Sequence, residues 1–184
     1  HADAVQPPGR TRLRLALLDS DTERAGIAHD LDDMERIVGQ CLQFLRSEEA
    51  DRAPVPLAIA ALLRDGVARQ RELGRAIELT ISAAAEPRKV AIAAGNLQRL
   101  LDNLIDNALQ HGAPPVHVEF SMAGESLGRL LVRDHGPGIA EADRQRALEA
   151  FAQLEPARAT NGSCGLGLAI VRRIAAGCGG EVLL

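Results

Sequence analysis

The sequence predicts an α+β protein in two parts: an N-terminal antiparallel helical hairpin, then an α/β sandwich. Three observations predict it. Apolar residues recur at helical spacing from Ile27 to Leu45. A charged stretch at 47–56, broken by Pro54 and Pro56, separates that run from the rest. Beyond it, helical patterns mix with period-two segments, as expected where helices cover one sheet.

Pro7, Pro8 and Gly9 oppose a continuous helix near the start, so regular structure is expected from TRLRLALL at 11–18. Asp19, Ser20, Asp21 and Thr22 offer a turn and N-cap candidates. After them Ile27, Leu31, Met34, Ile37, Val38, Cys41, Leu42 and Leu45 mark a second helix, of about 25 residues. Two amphipathic helices joined this closely make a hairpin, assigned to residues 1–48. Its exposed stripe needs a partner, and a second copy is the simplest one, giving a four-helix homodimer. Residues 49–56 are assigned to a linker and 57–184 to the second domain. There the pattern predicts a helix at 57–73, strands at 76–82 and 90–93, and a helix at 96–111. Strands are expected at 116–122 and 127–134, with helices at 141–150 and 166–176. EVLL at 181–184 reads as the first strand of a hairpin whose last strand is missing.

Composition narrows the function classes. Hydrophobic residues make up 46% and charged residues 25%, so a packed core is expected. With three Phe and neither Trp nor Tyr, that core must be aliphatic. Platforms for stacking single-stranded nucleic acid are lacking. The formal net charge of -4 gives no broad basic footprint, and nucleic-acid binding is disfavoured. Cys41, Cys164 and Cys178 are odd in number and not spaced like zinc ligands, which argues against a disulfide framework and fits a reducing compartment. No apolar run is long enough to span a bilayer, so any membrane part lies outside this chain.

Three segments carry candidate chemistry. In DHGPGI, Asp134 to Ile139, a carboxylate leaves a strand into a turn with glycines two and four positions on. Such a carboxylate accepts a hydrogen bond from an exocyclic amine, and the glycines let the backbone approach a flat ligand. An ordinary β-turn has the same pattern. In NLIDNALQHG, Asn103 and Asn107 lie four apart on one helical face. Amide oxygens suit Mg²⁺ beside nucleotide phosphates, although local pairing near a helix end also accounts for them. In GSCGLGLAIVRRI, Gly162, Gly165 and Gly167 precede an apolar helix, and such an entrance presents N–H groups and a positive dipole end to a polyphosphate. A flexible loop is the plainer reading. Their order along the chain, the asparagine helix, the DHGPGI turn, a lone Phe151 and then the glycine-rich helix entrance, joins them into one constellation.

That constellation resembles the asparagine, glycine and phenylalanine boxes of the histidine-kinase ATPase family, most closely the EnvZ-like sensor kinases, over about residues 96–180. GLGLAIVRRIAAGCGG is its most specific segment. TRLRLAL and DLDDMERIVGQCLQFLR resemble the two dimerisation helices of the same kinases, a hairpin that gyrase, Hsp90 and MutL lack. The resemblance implies a Bergerat-type sandwich that binds ATP and Mg²⁺. Asn107 would ligate the metal, with Asn103, Gln110 and His111 lining the same side. Asp134 would read adenine, while Gly136, Gly138 and Ile139 would shape the base pocket. Gly165, Leu166, Gly167 and Leu168 would form the lid hinge, with Phe151 beside it.

The sequence departs from the family pattern in places. Gln110 stands where a basic residue is common, and Gly162 to Gly165 is one residue longer than usual. The phosphoacceptor pattern is met only in part: His1 is followed by Ala2 and Asp3, and sits about three residues upstream of the expected place. His29 has Asp30 beside it but no proline following, and His117 and His135 read as structural and solvent-facing. What the resemblance implies is a dimeric two-component kinase. It would pass the γ-phosphoryl of ATP to a histidine, with His1 the candidate, and then to a response-regulator receiver domain. Its setting would be the cytoplasmic portion of an inner-membrane receptor. A degenerate kinase that binds nucleotide without autophosphorylating is the alternative. A hydrolytic ATPase is a third, with Gln98 and Asp102 as the nearest candidates to activate water.

Overall fold

Amphipathic segments in the second domain sort into two layers according to which face they can bury. The computed structural model describes residues 55–125, 127–152 and 165–184, together with Ile27, Ala28, Leu31, Met34, Val38 and Gly39. Those six are helical, at the spacing of the predicted second helix, and Ile27, Met34 and Val38 are exposed. The remaining readings on the hairpin, including His1, His29 and the first helix, lie outside the described residues.

Strand β1, Val55–Ala58, leads directly into helix α1, Ile59–Glu72. Strands β2, Ile77–Ile81, and β3, Lys89–Ile92, precede helix α2, Ala94–His111. Strands β4, Val116–Ala123, and β5, Leu127–Arg133, form a hairpin. A 3-10 turn, Glu141–Asp143, runs into the single-turn helix α3, Arg144–Ala147. Helix α4, Gly167–Gly177, follows the glycine-rich segment. No helix among the described residues is long and apolar enough to cross a membrane.

The expected single sheet is two ladders in the described residues. One joins β1 to β3 antiparallel. The other has the order β2-β4-β5, with β2 parallel to β4 and β5 antiparallel to it. Alternation fixes its faces: Val116, Val118 and Phe120 of β4 point into the core, while His117 and Glu119 point away. On the inner face α2 contributes Leu97, Leu101, Ile105 and Ala108, recurring every three or four residues and each at most 5% exposed. Leu63 and Val67 of α1 and Leu166, Ile170 and Ile174 of the α4 segment complete the same cluster. Among the described residues the core is aliphatic, with Phe120 its one aromatic member.

Three expectations need correction. Val55 and Pro56, read as linker, are paired in β1 with Ile92 and Ala91; prolines are tolerated in such short peripheral ladders. The helix expected at 141–150 shrinks to one turn, because Ala147 is its only buried residue and so small a contact cannot offset helix nucleation. EVLL at 181–184 is not a strand: it has no ladder partner among the described residues.

Candidate functional site

Asp134 is the first residue past β5, where the inward-outward alternation ends and the chain turns. Its carboxylate is half-buried, and Oδ1 accepts the Gly136 N–H at 2.6 Å. The His135 N–H donates to the Ala113 carbonyl at 3.2 Å, which stitches this turn to the segment after α2. The packing there is tight enough to exclude a methyl group. A Cβ on Gly112 would lie 2.3 Å from the Asp134 carboxylate, and one on Gly136 would lie 2.5 Å from the Gly112 Cα. The carboxylate is therefore seated against two glycine backbones, and its direction is fixed by both. Gly138 follows with φ +73° and Ile139 is half-buried.

Gly112 belongs to this arrangement, although in the sequence it stands only as the last residue of NLIDNALQHG. A glycine straight after a helix reads as an ordinary helix stop, so only the fold brings out its contact with Asp134.

Asn103 and Asn107 project from α2 on the side reached by α4. The Asn103 amide Nδ2 donates to the Arg99 carbonyl at 2.7 Å, and its Oδ1 would be 3.2 Å from a Cβ on Gly167. The first residue of α4 thus packs against the asparagine face. Asn107 and Gln110 are half-buried further along, and His111 is exposed at the helix end. The start of α4 thus meets α2 near its middle, at Asn103, and the Asp134 turn meets it just past its C-terminal end, at Gly112.

The glycine-rich segment is tied at its base. The Phe151 N–H donates to the Gly165 carbonyl at 3.0 Å, and both residues have positive φ, 66° and 68°. A Cβ on Gly165 would lie 2.4 Å from the Ala152 carbonyl oxygen, so the close approach and the left-handed backbone both require glycine there. The Phe151 ring is exposed at 63%. Leu166 and Leu168 point inward, at 1% and 8% exposure. They anchor the start of α4 in the core, and Gly167 between them faces Asn103.

Gln98 and Asp102 lie on a different side of α2. Asp102 Oδ1 accepts from Gln70 Nε2 at 2.6 Å and from Gln98 Nε2 at 2.7 Å. Arg69 donates to Gln98, and Arg75 donates to Gln70 and to Asp106. These groups strap α1 to α2 and are engaged in doing so. His117 sits on the outer sheet face, 3.1 Å from a Glu78 carboxylate oxygen and with its ring 5.4 Å from that of His135. His135 is exposed, its Nδ1 3.1 Å from the Pro115 carbonyl. No cluster able to hold a metal through His, Cys, Asp and Glu occurs among the described residues. Burial pushes the Cys178 thiol up from its ordinary value, which disfavours a reactive thiolate.

Residues 93–184 match the family of histidine kinase-, DNA gyrase B-, and HSP90-like ATPases. Sensor protein RstB of Escherichia coli is 31% identical over 185 residues, covering 96% of this chain and 42% of that protein. The chain thus spans less than half the length of this curated relative. Among solved structures, a mycobacterial sensor histidine kinase, MprB, superposes with a TM-score of 0.56 at 27% identity, over 68% of this chain and 80% of that one. Full-length ShkA, solved in complex with AMPPNP, superposes with a TM-score of 0.66 at 27% identity, over 88% of this chain and 35% of that one.

Proposed function

The chain belongs to the histidine kinase-, DNA gyrase B-, and HSP90-like ATPase family, and from that premise we propose that it binds ATP with Mg²⁺ and passes the γ-phosphoryl to a histidine. The carrying observation is Asp134, held between Gly112 and Gly136 with one carboxylate oxygen committed to the turn. The other oxygen has the lone pairs an exocyclic amine of adenine uses, and glycine at both positions lets the carboxylate lie directly against the backbone. The residues present fit the metal as well. Asn103 and Asn107 offer neutral amide oxygens beside the start of α4, a donor set suited to Mg²⁺ that keeps its waters and the phosphate oxygens as further ligands. Bound there, the ion would neutralise charge developing on the transferring phosphoryl group.

The work of the chain's own residues is positioning, which dominates phosphoryl transfer. Asp134 sets the base at the C-terminal end of α2. The triphosphate then runs toward Asn107, Asn103 and the N-terminus of α4, where the helix dipole favours negative charge. On this reading the accepting histidine belongs to the helical hairpin, His1 being the candidate, and two copies associate through the stripe containing Ile27, Met34 and Val38. A response-regulator aspartate would take the group next.

Incubation with γ-labelled ATP tests the reading. We expect acid-labile, alkali-stable label on the chain, lost in the His1→Ala variant and retained in His29→Ala. Nucleotide binding with no label on any residue would contradict the kinase reading and leave a nucleotide-binding regulator in its place.

A further inference from the structure

A guanidinium, that of Arg99, shares the asparagine face of α2. Arg99 lies four residues before Asn103 and eight before Asn107, so the three share one side of α2. It is the only Lys or Arg of that helix. Its Nη1 is buried without a hydrogen-bond partner. Asp102, three residues on, is the nearest carboxylate along the helix, yet its Oδ1 is taken by Gln70 and Gln98. A buried donor on a permanently charged group is costly to leave unpaired, so its persistence points to a partner that arrives from outside.

Position along α2 says which partner. Gly112 and the Asp134 carboxylate mark the end at which the base would sit. Asn103, which meets the start of α4 at Gly167, lies near the middle of the helix, nine residues before Gly112. Arg99 lies one further turn in that direction, about 20 Å from Gly112 at 1.5 Å per residue. A nucleotide laid from Asp134 past Asn107 and Asn103 brings its last phosphate, and no earlier one, toward this side chain. Guanidinium is also the side chain best matched to paired phosphate oxygens.

We propose that Arg99 pairs with the terminal phosphate of a nucleoside triphosphate and so makes the site discriminate triphosphate from diphosphate. The proposal rests on the nucleotide-binding reading above and adds to it the residue that senses the γ-phosphate.

The test is calorimetric titration of the 184-residue chain with Mg²⁺ and either a non-hydrolysable ATP analogue or ADP. Wild type is compared with Arg99→Gln and Arg99→Lys, and thermal melts confirm that each variant is folded. Arg99→Gln should weaken the triphosphate by about tenfold or more, equivalent to about 1.4 kcal/mol, with ADP affinity unchanged. Arg99→Lys, which keeps the charge without the fork, should fall between. Equal weakening of both nucleotides would overturn the proposal, because a side chain that merely supports α2 acts on both alike. No change in either would overturn it too, and should Arg99→Gln fail to fold, Arg99→Lys alone decides on the same ratio. If wild type binds neither nucleotide the underlying reading fails, whereas unaltered ADP binding in a variant with unaltered triphosphate binding sinks only the role of Arg99.

Discussion

Among single residues, Asp134 and the two glycines that seat it matter most to the proposed base pocket. Asp134→Asn keeps an oxygen for the Gly136 N–H, so the turn and the melting temperature should change little. The charged acceptor is lost, and a hydrogen bond to a charged group contributes about 1.5–3 kcal/mol. Adenine nucleotide affinity should accordingly fall roughly 10- to 150-fold in a binding titration. Gly112→Ala places a methyl 2.3 Å from the carboxylate. It should destabilise the domain by about 1–3 kcal/mol through overpacking and weaken nucleotide binding as the carboxylate swings away. Denaturant unfolding and calorimetry measure the two effects separately. The carboxylate was legible in sequence because D-x-G-x-G at a strand end is a local pattern. Gly112 was not, because its partner is more than twenty positions away and meets it only when α2 and β5 pack together.

Among elements, α2 carries a different job on each side: Leu97, Leu101, Ile105 and Ala108 in the core, Asn103 and Asn107 toward α4, and Asp102 toward α1. Asp102→Ala removes the shared acceptor of Gln70 and Gln98 and strands the Gln70 amide, which is 7% exposed. A loss of about 1–3 kcal/mol is expected in denaturant unfolding, with Asp102→Asn losing less because it retains an acceptor oxygen. The Arg64–Glu86 pair ties α1 to the turn after β2 at 2.7 Å, and the Arg64 guanidinium holds the Glu86 carboxyl below its ordinary value of 4.5. Because the folded value is the lower one, any stability from the pair is present above pH 4.5 and lost as pH falls below it. Glu86→Gln should therefore differ from wild type at neutral pH, only slightly for so exposed a pair, and converge with it in acid. Periodicity revealed α2, β4 and β5 within two residues of their bounds, since their burial patterns are strong. It missed β1 because prolines at 54 and 56 mimic a linker, and a four-residue strand is visible only through its pairing with β3.

For the whole molecule, the proposed division of labour runs between a sandwich that binds nucleotide and a helix that exposes Ile27, Met34 and Val38 in one chain. Ile27, Met34 and Val38 are 40%, 60% and 54% exposed, a stripe that a second copy would cover. Met34→Glu should shift the protein toward monomer in sedimentation equilibrium while leaving nucleotide binding unchanged, since the proposal assigns the two functions to separate elements. The order of the chemical motifs was legible in the sequence because each is local. What joins them, the turn stitched to the end of α2 and the start of α4 against Asn103, is tertiary and carries no linear signature. The most direct measurement of the central claim is calorimetry of the intact chain with ADP in the presence and absence of Mg²⁺, beside Asn107→Ala. Saturable binding at one nucleotide per chain, strengthened by the metal in wild type and far less so in the variant, is the predicted result. Absence of nucleotide binding, or binding indifferent to both the metal and Asn107, would contradict it.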